Sequence, residues 1–153
     1  MQQIKAEYVN PFLMAARSVV GMACQVEVEI QKPYIRTESY GEDTVTIAIG
    51  ITGEFVGDTV IAIPLDVALF LASCMMMMPV TEFDEIPKSA ISELGNMIMG
   101  NAATFFSTQE IGVDITPPTM KQGVYEIPAK AAGICIPLVV NKDKKMEISI
   151  YTS

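Results

Sequence analysis

The chain has 153 residues, half of them hydrophobic and 18% charged, with a formal charge of −8 and no histidine. That length and apolar content fit a single domain over 1–153, able to bury roughly two thirds of its unfolded surface, and exclude a disordered chain. The missing histidine removes Ser-His-Asp and Cys-His nucleophilic machinery and imidazole metal ligands together, and the lack of a basic stripe argues against nucleic acid.

Cys24, Cys74 and Cys135 are odd in number, far apart and set in apolar stretches. Reduced core thiols are therefore expected, since free cysteine packs as a small hydrophobe. The first residues carry no basic-then-apolar signal, and no apolar run reaches the roughly 20 residues of a membrane span. A cytoplasmic protein without membrane contact is expected, and its acidity would steer a basic partner toward it.

In chain order, Asn10 and Pro11 suit the opening of a first helix, Asn as cap and Pro in the first turn, with apolar residues continuing to about Cys24. Gln25 to Ile30 alternates polar and apolar, as a half-buried strand should. Thr44–Ile49 and Asp58–Ile63 alternate again around a glycine-punctuated link, predicting neighbouring antiparallel strands. Asp66 is placed to cap a helix from about Val67 to Met78, which Pro79 ends. Its Met75–Met78 run suits a flexible, gap-filling end to a buried helix or an adaptable partner surface.

Pro87 leads into a long helix from about Lys88 to Ser107, with Ile91, Leu94, Ile98, Ala102 and Phe105 as its apolar stripe. Val113–Thr116, Ala132–Val140 and Met146–Tyr151 are the remaining strands, the last two joined through the polar turn at Asn141–Lys144. No clear repeat stands out, beyond a faint symmetry of strands before and after the long helix.

Ser89, Glu93, Asn96 and Gly100 are spaced by four, three and four, one line along a helix, on the side away from the apolar stripe. Asn and Gly inside a helix cost up to about 0.7 and 1 kcal/mol relative to Ala. An ordinary solvated face meets the spacing equally well. A carboxylate pocket of Asp84, Glu85 and Glu93 is a weaker reading, because the first two are ordinary helix-start charges.

The run Ser89-Ala90-Ile91-Ser92-Glu93-Leu94-Gly95-Asn96, followed by Gly100-Asn101, resembles the helix signature of the CheX/CheC chemotaxis phosphatases. Val113-Asp114-Ile115-Thr116-Pro117-Pro118-Thr119 resembles their downstream strand and double-proline turn. Ile51-Thr52-Gly53 through Gly57 to Pro64 is similar to their glycine-punctuated strand pair, and Val9-Asn10-Pro11-Phe12 to the first helix of CheX members. CheC members carry the Glu and Asn pair on two pseudo-symmetric helices. The first helix here is read as offering Asn10 with no Glu three residues before it, so one site is expected and the CheX type is indicated.

The resemblance implies an α/β (α+β) fold, an antiparallel twisted sheet packed against two long helices. It implies a homodimer joined through its sheets, sought in the strand-rich C-terminal third. It further implies a two-component signalling hydrolase acting on the aspartyl phosphate of a CheY-like response regulator. Asn96 would orient the attacking water and Glu93 would dock on the regulator's active-site lysine. Ser89, Glu93 and Gly100 would line the contact. The protein would need no metal or cofactor of its own, the Mg2+ belonging to the receiver. The competing expectation is a non-catalytic receiver-binding module of the flagellar-switch kind using the same face.

Overall fold

The computed structural model describes residues 4–127 and 133–152. Three helices, α1 (Ala6–Cys24), α2 (Leu65–Met76) and α3 (Glu85–Thr108), pack on one face of a wholly antiparallel seven-stranded sheet. Its strands are β1 (Val28–Ile30), β2 (Thr44–Gly53), β3 (Gly57–Pro64), β4 (Val113–Ile115), β5 (Thr119–Gln122), β6 (Gly133–Val140) and β7 (Lys144–Thr152), in the order β1-β6-β7-β3-β2-β4, with β5 also on β2. The core lies between helices and sheet. Val45, Ile47, Ile49 and Ile51 of β2, Ile61 and Ile63 of β3, Met146, Ile148 and Ile150 of β7, and Ile136 and Leu138 of β6 are all buried there. Period-two alternation gives each strand that single apolar face.

α1 opens four residues before Asn10, at Ala6. Pro11 stands inside it, unable to donate to the carbonyl of Glu7. Packing outweighs that loss: Tyr8 and Val9 are buried, Tyr8 stacks on Phe55 at 5.0 Å, and Phe12 meets Phe106 edge-on at 5.5 Å. Most helical stability in proteins comes from such packing. Gln25, in the left-handed region at φ 54°, ends α1, so β1 begins three residues later than the alternation suggests.

Asp66 does not cap α2. The helix already begins at Leu65 after Pro64, and the Asp66 carboxylate accepts the Val67 N–H from within the first turn. Nor does α2 reach Met78, because Met77 turns into the left-handed region at φ 57°. Met75 and Met76 are half-buried whereas Met77 and Met78 are exposed, so the gap-filling role fits only half of the methionine run.

α3 is longer than expected at its start, from Glu85, since Pro87 occupies the first turn where an N–H has no helical partner anyway. Phe106, not Phe105, completes its buried stripe. β5 was not foreseen, its only apolar residue being Met120. The closing hairpin is as expected, with Asn141 and Lys142 both at positive φ in its turn. It is central, however: β7 lies between β6 and β3, and β6 between β1 and β7. β1 covers β6 only at Leu138–Val140, with Tyr34 bridging Cys135 farther along.

The halves of the sheet are related by a pseudo-twofold axis between β3 and β7, which exchanges β1-β6-β7 with β4-β2-β3. The second-half strands begin within three residues of an 86-residue offset from β1, β2 and β3. Even the outlying pairings correspond, with β5 on β2 and Tyr34 bridging Cys135 of β6. α1 and α3 are the equivalent helices, and α2 has no counterpart.

On the other sheet face the segment before β2 crosses β6 and β7. Tyr40 Oη lies 2.9 Å from Ser149 Oγ and donates to Glu147 Oε1 at 3.1 Å, and Tyr34 Oη also donates to Glu147. The Arg36 guanidinium pairs with Glu147 at 3.2 Å and lies 3.8 Å from the Tyr40 ring centroid. Burial pushes both tyrosines' pKa values up, assisted at Tyr34 by its bond to Glu147. A cavity of about 310 Å³ lined by Arg36, Tyr40, Lys145 and Glu147 opens beside them and shares no residue with the Ser89 to Gly100 line.

Candidate functional site

Ser89, Glu93, Asn96 and Gly100 are brought together as the sequence suggests, all exposed along α3. The opposite side, Ile91, Leu94, Gly95, Ile98, Ala102 and Phe106, is buried against the core. Gly95 sets the depth of that seat: a Cβ there would lie 3.0 Å from Ile47 Cγ2 and 3.2 Å from Cδ1. Glycine thus lets the helix backbone settle onto β2 directly beside Asn96. Rigid elements of this kind hold functional groups more precisely than loops do.

Among the described residues, neither Glu93 nor Asn96 has a hydrogen-bond or ion-pair partner. Separated by three positions, they are surface neighbours, with Cβ atoms roughly 5–6 Å apart. The carboxylate offers only acceptors, whereas the carboxamide offers donors and an acceptor without a change of charge. Their hydrogen-bonding capacity is thus uncommitted.

Ser89 is not a cap. Its Oγ donates back to the Glu85 carbonyl at 3.0 Å from within the helix. Asn101 donates from Nδ2 to the Met97 carbonyl at 3.1 Å, a structural bond within the helix. A Cβ at Gly100 would meet nothing within 4 Å, so packing within the chain gives no reason for glycine there. Asp84 precedes α3 without a side-chain capping bond and Glu85 occupies its first turn, as ordinary helix-start charges do.

Sequence reasoning missed Ile86. It continues the same line, three residues before Ser89, and is 67% exposed. With the exposed Met78 it lines a groove of about 260 Å³ between the ends of α2 and α3. An apolar residue on a line otherwise chosen for polarity was the available signal.

Among the described residues, no group of three or more His, Cys, Asp or Glu is placed to hold a metal ion, and no helix is long and apolar enough to cross a membrane. All three thiols are free, Cys24 and Cys135 buried and Cys74 half-buried. Burial above all, then the neighbouring Cys74, pushes the Cys24 pKa up to about 12.

Helices on one side of a curled antiparallel sheet give this chain the fold of solved CheC-like proteins. A CheC-like superfamily protein from Shewanella sp. PV-4 superposes with a TM-score of 0.83 over 98% of this chain and 99% of its own, at 21% identity. The family model described as "Chemotaxis phosphatase CheX" matches residues 45–139. The chain belongs to the CheX family of chemotaxis phosphatases. The CheY-P phosphatase CheX of Thermotoga maritima is 28% identical over 149 residues, 97% of this chain and 96% of that protein. A CheX solved in a CheX–CheY–BeF3–Mg2+ complex from Borrelia burgdorferi is 28% identical, with a TM-score of 0.73 over 94% of this chain and 96% of its own.

Proposed function

We propose that this chain hydrolyses the aspartyl phosphate of a CheY-like response regulator, with Asn96 orienting the attacking water and Glu93 docking on the regulator's active-site lysine. The observation that carries the reading is the free, exposed Glu93–Asn96 pair on a helix whose other face is locked into the core. The name of the T. maritima relative and the composition of the Borrelia complex support the partner class.

An acyl phosphate is already activated, so the catalyst contributes mainly position. The Asn96 carboxamide accepts from a water and holds its oxygen in line with the phosphorus. The water oxygen bonds to phosphorus, the bond from phosphorus to the acyl oxygen breaks, and aspartate and dihydrogen phosphate leave with both water protons on the phosphate. Glu93 forms a charge-assisted contact with the lysine ammonium, which fixes the register of the two proteins. Ser89 and Gly100 border the contact, and Ile86 extends it with an apolar end. The metal at the phosphoryl group is the receiver's Mg2+, and no step needs a metal held by this chain.

A homodimer in the cytoplasm belongs to the same reading. Its shared surface is sought along the sheet, the strand-rich C-terminal third included, and sedimentation equilibrium of the native chain tests the state.

The deciding experiment follows the decay of a phosphorylated CheY-like receiver with the native protein and with Asn96→Ala. Acceleration is expected from the native chain and a loss of at least tenfold in the variant, whose melting temperature stays unchanged. Binding by both proteins without acceleration by either would overturn hydrolysis in favour of a docking module.

A further inference from the structure

The groove between the ends of α2 and α3 joins an apolar floor to free carboxylates. Met78, Pro79, Ile86 and Pro87 line it together with Glu82 and Asp84, and no lysine or arginine among the described residues does. Neither carboxylate has a hydrogen-bond or ion-pair partner among the described residues. Local chemistry explains why Asp84 is free. It is the N-cap residue of α3, where an Asp side chain ordinarily accepts the N–H of the second or third helical residue. The third is Pro87, which has no N–H to give, and Asp84 makes no capping bond. The opposite wall is fixed by Ser73, whose Oγ donates to the Leu69 carbonyl at 2.7 Å and accepts the Val80 N–H at 3.0 Å, while its carbonyl accepts the Met78 N–H at 3.2 Å. The groove is thus built before a partner arrives, which lowers the ordering cost of binding.

Glu7 stands three residues before Asn10 on α1, both exposed, so the absence read from the sequence does not hold and a Glu–Asn pair alone does not set α3 apart. The groove does, because α2, whose end forms its other wall, has no counterpart in the pseudo-symmetric arrangement. At 1.5 Å per residue, Ile86 lies about 10 Å along the helix axis from Glu93 and about 15 Å from Asn96. A standard interface covers about 800 Å² per partner, a disc of roughly 16 Å radius. A receiver centred on Glu93 and Asn96 therefore reaches the groove.

We infer that the groove takes one lysine or arginine side chain of the receiver, its methylene stem on Met78 and Ile86 and its cation between Glu82 and Asp84. The inference rests on the reading of α3 given above and adds a determinant of which receivers are accepted. Long basic side chains cover apolar surface with their stems while the charged head stays at the rim, where the two carboxylates stand. A wholly hydrophobic occupant would instead desolvate those carboxylates without compensation. Met78, unbranched and flexible, adapts to either stem. The formal charge of −8 draws the same class of surface toward the chain.

The test uses the full chain and one phosphorylated CheY-like receiver, comparing Glu82→Gln/Asp84→Asn, Met78→Ala/Ile86→Ala and Asn96→Ala with the native protein. At about 20 mM salt the carboxylate variant is expected to lose about tenfold in kcat/KM, through KM, with kcat held. At about 0.5 M salt, where the screening length falls to roughly 4 Å, most of that difference should vanish. The apolar variant should lose severalfold at both salts. A loss confined to the apolar variant overturns the basic occupant in favour of a hydrophobic one. Native kcat/KM in both variants overturns the groove as a contact, and an inactive Asn96→Ala beside them leaves the reading of α3 intact. Full activity in Asn96→Ala would instead overturn that reading itself. Unchanged melting temperatures keep folding out of the comparison.

Discussion

Gly100→Ala separates stability from docking. Gly100 lies in the interior of α3, where glycine is about 0.8–1.0 kcal/mol less favourable than alanine. Its Cβ would meet nothing within 4 Å, so no packing cost opposes the gain. The substitution should stabilise the fold by about 1 kcal/mol, or about 2–4 °C in melting temperature for a chain of this size. If a receiver presses against this point, the added methyl meets it instead, at a cost on the order of 1–3 kcal/mol, a loss of roughly 5- to 150-fold in kcat/KM. Calorimetry supplies the first number and receiver dephosphorylation at subsaturating substrate the second. A more stable protein with reduced kcat/KM is expected. Lower stability would refute the argument from open space, and full activity in a stabilised variant would remove Gly100 from the contact.

Glu93→Ala should raise KM for the phosphorylated receiver more than it lowers kcat, and an unchanged rate at low substrate would dismiss the lysine contact. Gly95→Ala should show the opposite balance to Gly100→Ala. The helix gains about 1 kcal/mol in propensity but sets a methyl against Ile47, where overpacking costs about 1–3 kcal/mol, so a melting temperature clearly above the native one would refute the close seat on β2. The raised pKa of Cys24 favours the folded state below the ordinary thiol pKa of 9.0 and loses that contribution as pH rises from there toward about 12. The urea midpoint should therefore fall more steeply above pH 9 in the native chain than in Cys24→Ala, and equal slopes would discount the burial effect. Removing divalent metal from the isolated chain with a chelator should leave its melting temperature unchanged, and a drop of several degrees would reveal a structural ion.

Much of this protein was legible in the sequence because the signals are local. Alternation marks β2, β3, β6 and β7, and 3.6-residue spacing separates the buried side of α3 from the Ser89 to Gly100 line. The missing histidine limits the chemistry without reference to any fold. Tertiary structure decided what depends on partners distant in the chain. α1 starts at Ala6 because Tyr8 finds Phe55 and Phe12 finds Phe106, contacts that outweigh the proline between them. The strands 133–140 and 144–152 read as a closing hairpin, and only strand order reveals that they lie inside the sheet. The pseudo-twofold relation is hidden because the halves share burial and spacing more than residue identity. Glycine at 95 and valine at 9 occupy equivalent buried positions, and each follows from its own neighbours. Residue types and their periods set which chemistry the chain can perform, whereas close packing between remote segments set where each helix begins and which strands lie inside the sheet.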